Sequence, residues 1–462
     1  MNQANNGGKP EDTPAFAARR KRAVIATLIG NFMEWFDFAV YGFVAVNIGH
    51  AFFPAGNTTA ALLSSLAVFG IAFLLRPIGG MVLGVIGDRV GRRESLAIAI
   101  IIMSTSTFVL AILPTYQHIG MWATVALVLT RCVQGMSVGG EWMGAGTFIV
   151  EYSPANRRGL SASVISATAA FGVAAGSLVV FAISSYLDAP TFDAWGWRIP
   201  FVLAVPVGLV GLYMRLKLED TPVFEEIKAR SAGNVQKAPF LASLKEDIRM
   251  IGIAFSFASI TGLGFYYFVT YMVNYLPVTG HLGRTESVMV SGASLVLYGL
   301  FCPLAGWLSD LIGRRKTFLI GIFGHMAFGI PVFFMLSSGS IGIAFVGLVI
   351  FASFQALINV MNTVVVVELF PPRTRMTSGA LALNLGAGPV AGTGPLIAAA
   401  LVASTGIAIS PAFYLCAIAL VTFVILYFAL PETSQRSLVE EEPLAPLRGE
   451  EDNGLEAARA TR

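Results

Sequence analysis

The chain has 462 residues, of which 55% are hydrophobic and 12% charged, and its mean hydropathy is +0.73. That is more apolar surface than a soluble core of this size can hide, which excludes an ordinary water-soluble protein and assigns the chain to a bilayer. The formal net charge of +3 is explained by loop topology and carries no nucleic-acid inference.

A hydrocarbon core of about 30 Å needs about 20 apolar residues per helix. Runs of that length lie near residues 24–46, 61–86, 95–113, 121–149, 160–185 and 199–216, then 250–275, 287–309, 317–336, 341–367, 377–403 and 409–430, twelve in all. The first 22 residues are polar and end in Arg19, Arg20, Lys21 and Arg22, with no short apolar region ahead of a small-residue cleavage site, so the first helix is expected to act as its own insertion signal. Of the 30 Lys and Arg residues, only Arg76 and Arg131 fall well inside these runs, Arg215 lying at the very end of the sixth. Every second loop holds cations, among them Arg89, Arg93, Arg158, Lys217, Lys228, Arg230, Lys237, Lys245, Arg315, Lys316, Arg373 and Arg375, whereas the opposite loops hold only Arg198 and Arg284. The positive-inside bias then predicts a multi-pass protein of a bacterial-type inner membrane with both termini and the 218–248 stretch in the cytoplasm.

In chain order, the first span carries Glu34 and Asp37, spaced i,i+3 on one face near mid-membrane. A carboxylate there must be paired, line a wet cavity or be protonated, and one poised between those conditions can bind and release a proton; the alternative is a permanent ion pair that orients helices. Arg76 precedes Pro77 in the second span, too deep for full snorkelling, and reads equally as structural partner or transport residue. The fourth span carries Arg131, Gln134 and Glu141; Arg131 cannot lose its proton and must keep a carboxylate, a substrate anion, or each in turn. Competition between Asp37 and a substrate carboxylate for Arg131 would couple protonation to binding. Later spans offer neutral groups: Tyr267, Tyr271 and Asn274 in the seventh, Gln355, Asn359 and Asn362 in the tenth, and Asn384 in the eleventh. Glycine pairs such as Gly135 with Gly139 and Gly172 with Gly176 predict close helix pairs.

Three landmarks recur in order: GDRVGRRE with SDLIGRRK, EYSPANRRG with ELFPPRTRM, and LEDTP with LPETS. The matched acids are Asp88 with Asp310, Glu151 with Glu368, and Glu219 with Glu432, at nearly constant spacing. This predicts an all-α membrane protein of two six-helix bundles: a tail over 1–22, bundles over 23–217 and 249–431, a loop over 218–248, and a tail over 432–462.

The loop word at Gly84, Asp88, Arg89, Gly91, Arg92 and Arg93 resembles the G-x-x-x-D-R-x-G-R-R signature of the major facilitator superfamily. Within it, GNFMEWFDFAVYGFVA, FLLRPIGG, RCVQGMSVGGEWMGA, EYSPANRRG and WGWRIPF look like the metabolite:proton symporter branch, and most resemble the proline/betaine transporters. The short tail, rich in Glu, Pro and Gly, departs from the coiled-coil tail common in the osmosensory members. The resemblance implies alternating access, and a cytoplasmic latch of Asp88 and Arg92 with the Glu151 and Arg157 region, and of Asp310 and Arg314.

The expectation is a proton symporter importing a small polar metabolite: a zwitterionic compatible solute such as proline or a betaine, or else a small organic acid suited to Arg131 and Arg76. Asp37, Glu34 and Glu141 are the proton-coupling candidates. Arg131, Gln134, Arg76, Tyr267, Tyr271, Asn274, Gln355 and Asn359 are the substrate-binding ones. A passive channel is the rival of a different class. An enzyme is not expected, because the four His residues are scattered and there is no H-E-x-x-H or nucleotide-loop word; no metal or cofactor is expected, and the chain reads as a monomer.

Overall fold

The structure, a computed structural model, describes residues 14–54, 58–217, 220–221, 223–226, 244–434 and 436–439. Glu219, Lys228, Arg230 and Lys237 lie outside the described residues. Six long helices form a first half: α1 (Pro14–Phe43), α2 (Thr58–Arg89), α3 (Arg92–Ile112), α4 (Met121–Glu151), α5 (Arg158–Tyr186) and α6 (Ile199–Leu216). Six more form the second: α7 (Ile248–Val278), α8 (Arg284–Ile312), α9 (Arg314–Leu336), α10 (Ile341–Leu369), α11 (Arg375–Thr405) and α12 (Ser410–Ala429). Eleven are long and apolar enough to cross a membrane by length and composition, and α1, which carries Glu34 and Asp37, completes the twelve.

The internal repeat reappears as repeated packing. Within the first half α1 lies on α5 and α6, α2 on α4, and α3 on α4 and α6; the equivalent pairs in the second half are α7 with α11 and α12, α8 with α10, and α9 with α10 and α12. The halves meet through α2 against α11 and, symmetrically, α8 against α5. Close approach needs small residues: a side-chain carbon at Gly135 or Gly139 of α4 would collide with the carbonyls of Ala72 and Arg76 on α2.

Several helices run past their apolar runs. The second and eighth spans read from sequence as ending near 86 and 309, yet α2 continues to Arg89 and α8 to Ile312 because the loop words supply a last helical turn. Each is followed by a glycine at positive φ, Gly91 at 151° and Gly313 at 97°. A side chain at either would strike a carboxylate, that of Asp220 or of Glu432, which caps the next helix. Asp220 thus occupies the role that the sequence repeat suggests for Glu219, one residue earlier. The first span is also interrupted, with α1 ending at Phe43 and a short helix, Ala45–Phe52, following a break at Val44. In the second half α7 contains a π-helical turn at Tyr267–Tyr271, and α11 one at Gly386–Gly392 around Pro389.

The described residues of the repeated motifs lie on one face, where they bond across the halves. Asp88 accepts from the backbone N–H groups of Met376 (3.1 Å) and Thr377 (2.8 Å) at the start of α11. Asp310 accepts from those of Gly159 and Leu160 at the start of α5, both at 2.9 Å. Arg375 meets Glu151 at 2.6 Å, and Arg158 meets Glu368 at 3.6 Å. Arg92 lies 3.5 Å from Asp88 and 3.7 Å from Glu151, and its counterpart Arg314 lies 2.7 Å from Asp310 and 3.3 Å from Glu368. The buried cation beside α5 is Arg158, while its neighbour Arg157 is exposed. Beyond α12 the chain crosses this face: the carbonyl of Arg436 accepts from Arg158 (2.7 Å) and that of Leu438 from Arg375 (2.8 Å), one arginine from each half.

Candidate functional site

Two polar assemblies sit near the middle of the long helices. The first lies inside the first half. Asp37 on α1 accepts from the hydroxyl of Thr107 on α3 (3.0 Å), from the amide of Gln134 on α4 (2.7 Å) and from Nη1 of Arg131 on α4 (3.2 Å). Arg131 also donates to Gln134 Oε1, and its guanidinium carbon stands 3.8 Å from the centroid of the Tyr41 ring. All of these side chains are buried, with charge meeting charge, and Nε and Nη2 of Arg131, like those of Arg76, have no hydrogen-bond partner among the described residues. The spacing 131, 134 brings both α4 groups to the face that meets α1, as the i,i+3 periodicity requires.

The second assembly is a pocket between the halves, with a cavity volume of about 80 Å³. Glu34, Trp35 (α1), Arg76 (α2) and Trp142 (α4) line it from the first half, and Thr261, Phe265, Tyr266 (α7), Asn359, Asn362 (α10) and Asn384 (α11) from the second. Arg76 Nη1 donates to the Tyr266 hydroxyl across the interface at 3.3 Å, and the guanidinium lies 4.0 Å from the Phe73 centroid and 4.7 Å from that of Phe38. Its Nε and Nη2 are buried without a hydrogen-bond partner among the described residues. The wall is aromatic: Trp35 packs edge-on against Phe265 at 4.9 Å and against Trp142 at 6.1 Å, and Phe73 packs against Tyr266 at 5.3 Å. Asn384 Nδ2 donates to the Gly139 carbonyl at 2.6 Å and ties α11 to α4 beside the pocket.

The candidates from sequence divide accordingly. Asp37, Arg131 and Gln134 come together in the first assembly; Glu34, Arg76 and Asn359 line the pocket. Glu141 is buried in the first half. Gln355 is engaged elsewhere, beside His325 (2.9 Å) and donating to the Thr261 carbonyl (2.9 Å). The Tyr267 hydroxyl donates to the Pro411 carbonyl at 3.3 Å, Tyr271 is buried between Tyr267 and Tyr275, and the exposed Asn274 donates to the Thr270 carbonyl at 2.8 Å. Trp35, Trp142, Phe265 and Tyr266 were not singled out by the sequence reading. One signal for two of them is visible in hindsight: the pair Glu-Trp occurs at 34–35 and again at 141–142.

Residues 23–238 match the family profile described as "Sugar (and other) transporter", and residues 276–459 match "Major Facilitator Superfamily". The glycine betaine/proline/ectoine/pipecolic acid transporter OusA of Dickeya dadantii is 36% identical over 434 residues, covering 92% of this chain and 86% of that protein. The proline/betaine transporter of Escherichia coli is 36% identical over 433 residues with the same coverage. Among solved structures, the proton:xylose symporter XylE bound to 6-bromo-6-deoxy-D-glucose superposes with a TM-score of 0.76 at 21% identity, over 92% of this chain and 98% of that one. With this likeness along nearly its whole length, the chain belongs to the major facilitator superfamily and is a multi-pass membrane transporter.

Proposed function

We propose that the chain is a proton-coupled symporter that imports a small zwitterionic compatible solute, such as proline or a betaine, across a bacterial-type inner membrane, with both termini in the cytoplasm. The observation that carries this reading is Arg76, a buried guanidinium with two unpartnered nitrogens in an aromatic-walled pocket between the halves. Guanidinium donors suit the carboxylate of such a solute, and ring faces suit its cationic nitrogen. The carboxylate goes to Arg76 rather than Arg131 because Arg76 lines the pocket while Arg131 is held by Asp37 and Gln134.

The proton goes to Asp37 in this reading. Its carboxylate faces Arg131, and protonation would weaken that ion pair and reset the α1 contacts one turn from Glu34, which lines the pocket. The bonds on the motif face form the latch: with Asp88, Arg92, Glu151, Arg375, Arg158, Glu368, Asp310 and Arg314 engaged, the cytoplasmic side is shut and the pocket is in an outward-facing or occluded arrangement. Alternating access then consists of breaking these bonds and rocking one half against the other. A small organic acid is the second reading, favoured by the excess of free donors over acceptors in the lining.

The test is uptake into proteoliposomes under an imposed inward proton gradient, with proline, glycine betaine and several carboxylates as substrates. Accumulation of a zwitterion that a protonophore abolishes is expected. Asp37→Asn is expected to lose gradient-driven accumulation while keeping substrate exchange; full accumulation by that variant refutes the proton assignment, and uptake indifferent to the protonophore refutes coupling in favour of a passive channel.

A further inference from the structure

Four side chains lining the pocket keep buried hydrogen-bonding atoms without a partner among the described residues: Nε and Nη2 of Arg76, Nε1 of Trp35, Nε1 of Trp142 and Oδ1 of Asn362. Native interiors leave few such atoms, because each has lost its water and gained nothing in return. The rest of the polar lining is spoken for: Thr261 donates to its own helix, Asn384 to Gly139, Asn359 to Tyr298, and Glu34 has its own interactions within the protein. The unpartnered donors belong to the first half, on α1, α2 and α4, and the amide acceptor Asn362 Oδ1 to the second, on α10; the carboxylate of Glu34 on α1 is a further acceptor in the lining, with interactions of its own.

Resting on the zwitterion reading above, we propose that the solute spans the pocket with its carboxylate on Arg76 and the two indole N–H groups and an ammonium N–H on Asn362 Oδ1. Asn362 is then a specificity-determining residue. A secondary ammonium such as that of proline gives its proton to the amide oxygen; a fully methylated nitrogen has none to give and leaves that oxygen buried and bare. Ring faces attract both kinds of cation, so the discrimination falls on the one hydrogen bond, and sites built to bond an N–H or O–H reject analogues lacking it. The same arrangement joins the halves through the ligand, with its carboxylate on the first half and its N–H on the second.

The experiment compares proline with N,N-dimethylproline, the same ring without the N–H, as competitors of labelled proline in proteoliposomes under an inward proton gradient. The unaltered protein is expected to favour proline by roughly tenfold or more in half-inhibitory concentration. Asn362→Leu, similar in size but with no acceptor, is expected to weaken proline to the level of the dimethyl compound while leaving the latter unchanged. Asn362→Asp, which keeps an acceptor, retains the preference. Trp142→Phe, which keeps a ring but loses the N–H, weakens both competitors alike. Equal competition in the unaltered protein, or equal weakening of both by Asn362→Leu, overturns this inference alone. Accumulation of neither zwitterion overturns it together with the reading on which it rests.

Discussion

Arg131 and Arg76 are both buried guanidiniums, and they are stabilised differently. Arg131 is paired with Asp37 at 3.2 Å, whereas Arg76 rests on the faces of Phe73 and Phe38 and, among the described residues, donates from Nη1 to the Tyr266 hydroxyl. A guanidinium on ring faces keeps its charge available to a third party, so Arg76→Lys, which forfeits the planar fork, is expected to raise the apparent KM for substrate roughly tenfold or more. An unchanged KM would take Arg76 out of the binding site. At the motif face, burial pushes the Asp220 carboxyl up to about 6, against the Thr221 N–H and Arg92 and with the help of Glu94 and Glu151. Above that pH the folded protein bears the cost of an ionised Asp220 that the unfolded chain does not. As pH falls through about 6 the folded form takes up the proton first, so it gains stability, and the gain is complete below the ordinary value of 3.8. Thermal melting of the purified protein between pH 7.5 and pH 5 should therefore show this gain in the unaltered chain and a smaller one in Asp220→Asn; identical pH responses would contradict it.

Helices and their ends show which parts of this molecule can be read without coordinates. Charges interrupting apolar runs are conspicuous, so the meeting of Asp37 and Arg131 could be anticipated from the need of a buried guanidinium for a carboxylate. Trp35, Trp142 and Phe265 could not, because an aromatic residue in an apolar run looks the same whether it faces lipid, a neighbouring helix or a cavity. Tyr267 and Tyr271 illustrate the converse, since their helical spacing suggests a shared face but not that the face is covered by the second half's own helices. Nor does charge pattern separate Arg157 from Arg158, adjacent residues of which one is exposed and the other buried against Glu368. The tail after α12 was read only as polar, yet two of its carbonyls hold an arginine from each half. Hydrogen bonds to charged groups contribute about 1.5–3 kcal/mol each. Truncation after Ser434 should let the motif face open more readily, and thiol labelling of Thr374→Cys, in a background lacking Cys132, Cys302 and Cys416, should accelerate roughly tenfold. Labelling at an unchanged rate would mean that the tail lies on this face without holding it.

For the molecule as a whole, the near-constant offset between the repeated acids anticipated the duplicated scaffold, and the packing of α1 to α6 is reproduced by α7 to α12. Chemistry did not follow the duplication. The mid-membrane carboxylates and guanidiniums, Glu34, Asp37, Glu141, Arg76 and Arg131, all lie in the first half, while the second contributes amides, aromatic rings and the two π-helical turns. Symmetry does govern the closed face, so paired changes there have a defined expectation. Arg375→Ala removes the cross-half partner of Glu151 much as Arg158→Ala removes that of Glu368, and each should raise accessibility from that side; exchanging the partners as Glu151→Arg with Arg375→Glu should restore protection at least in part. Failure of the exchange together with normal folding would indicate that the surrounding bonds to Arg92 and Thr221 set the polarity of the pair.

The confinement of formal charge to one half also bears on electrical behaviour. With all five side chains ionised, three carboxylates and two guanidiniums would sum to one negative charge, which a single proton would cancel and a zwitterion would not alter. Under the proton-coupled reading proposed above, an interior-negative potential would act on that charge and favour the unloaded carrier's return to the outside by up to about 2.3 kcal/mol per 100 mV for a charge crossing the full field. Reconstituted protein should accordingly show a voltage-dependent turnover with saturating substrate and protons, and Glu141→Gln, by making the empty site neutral, should flatten that dependence.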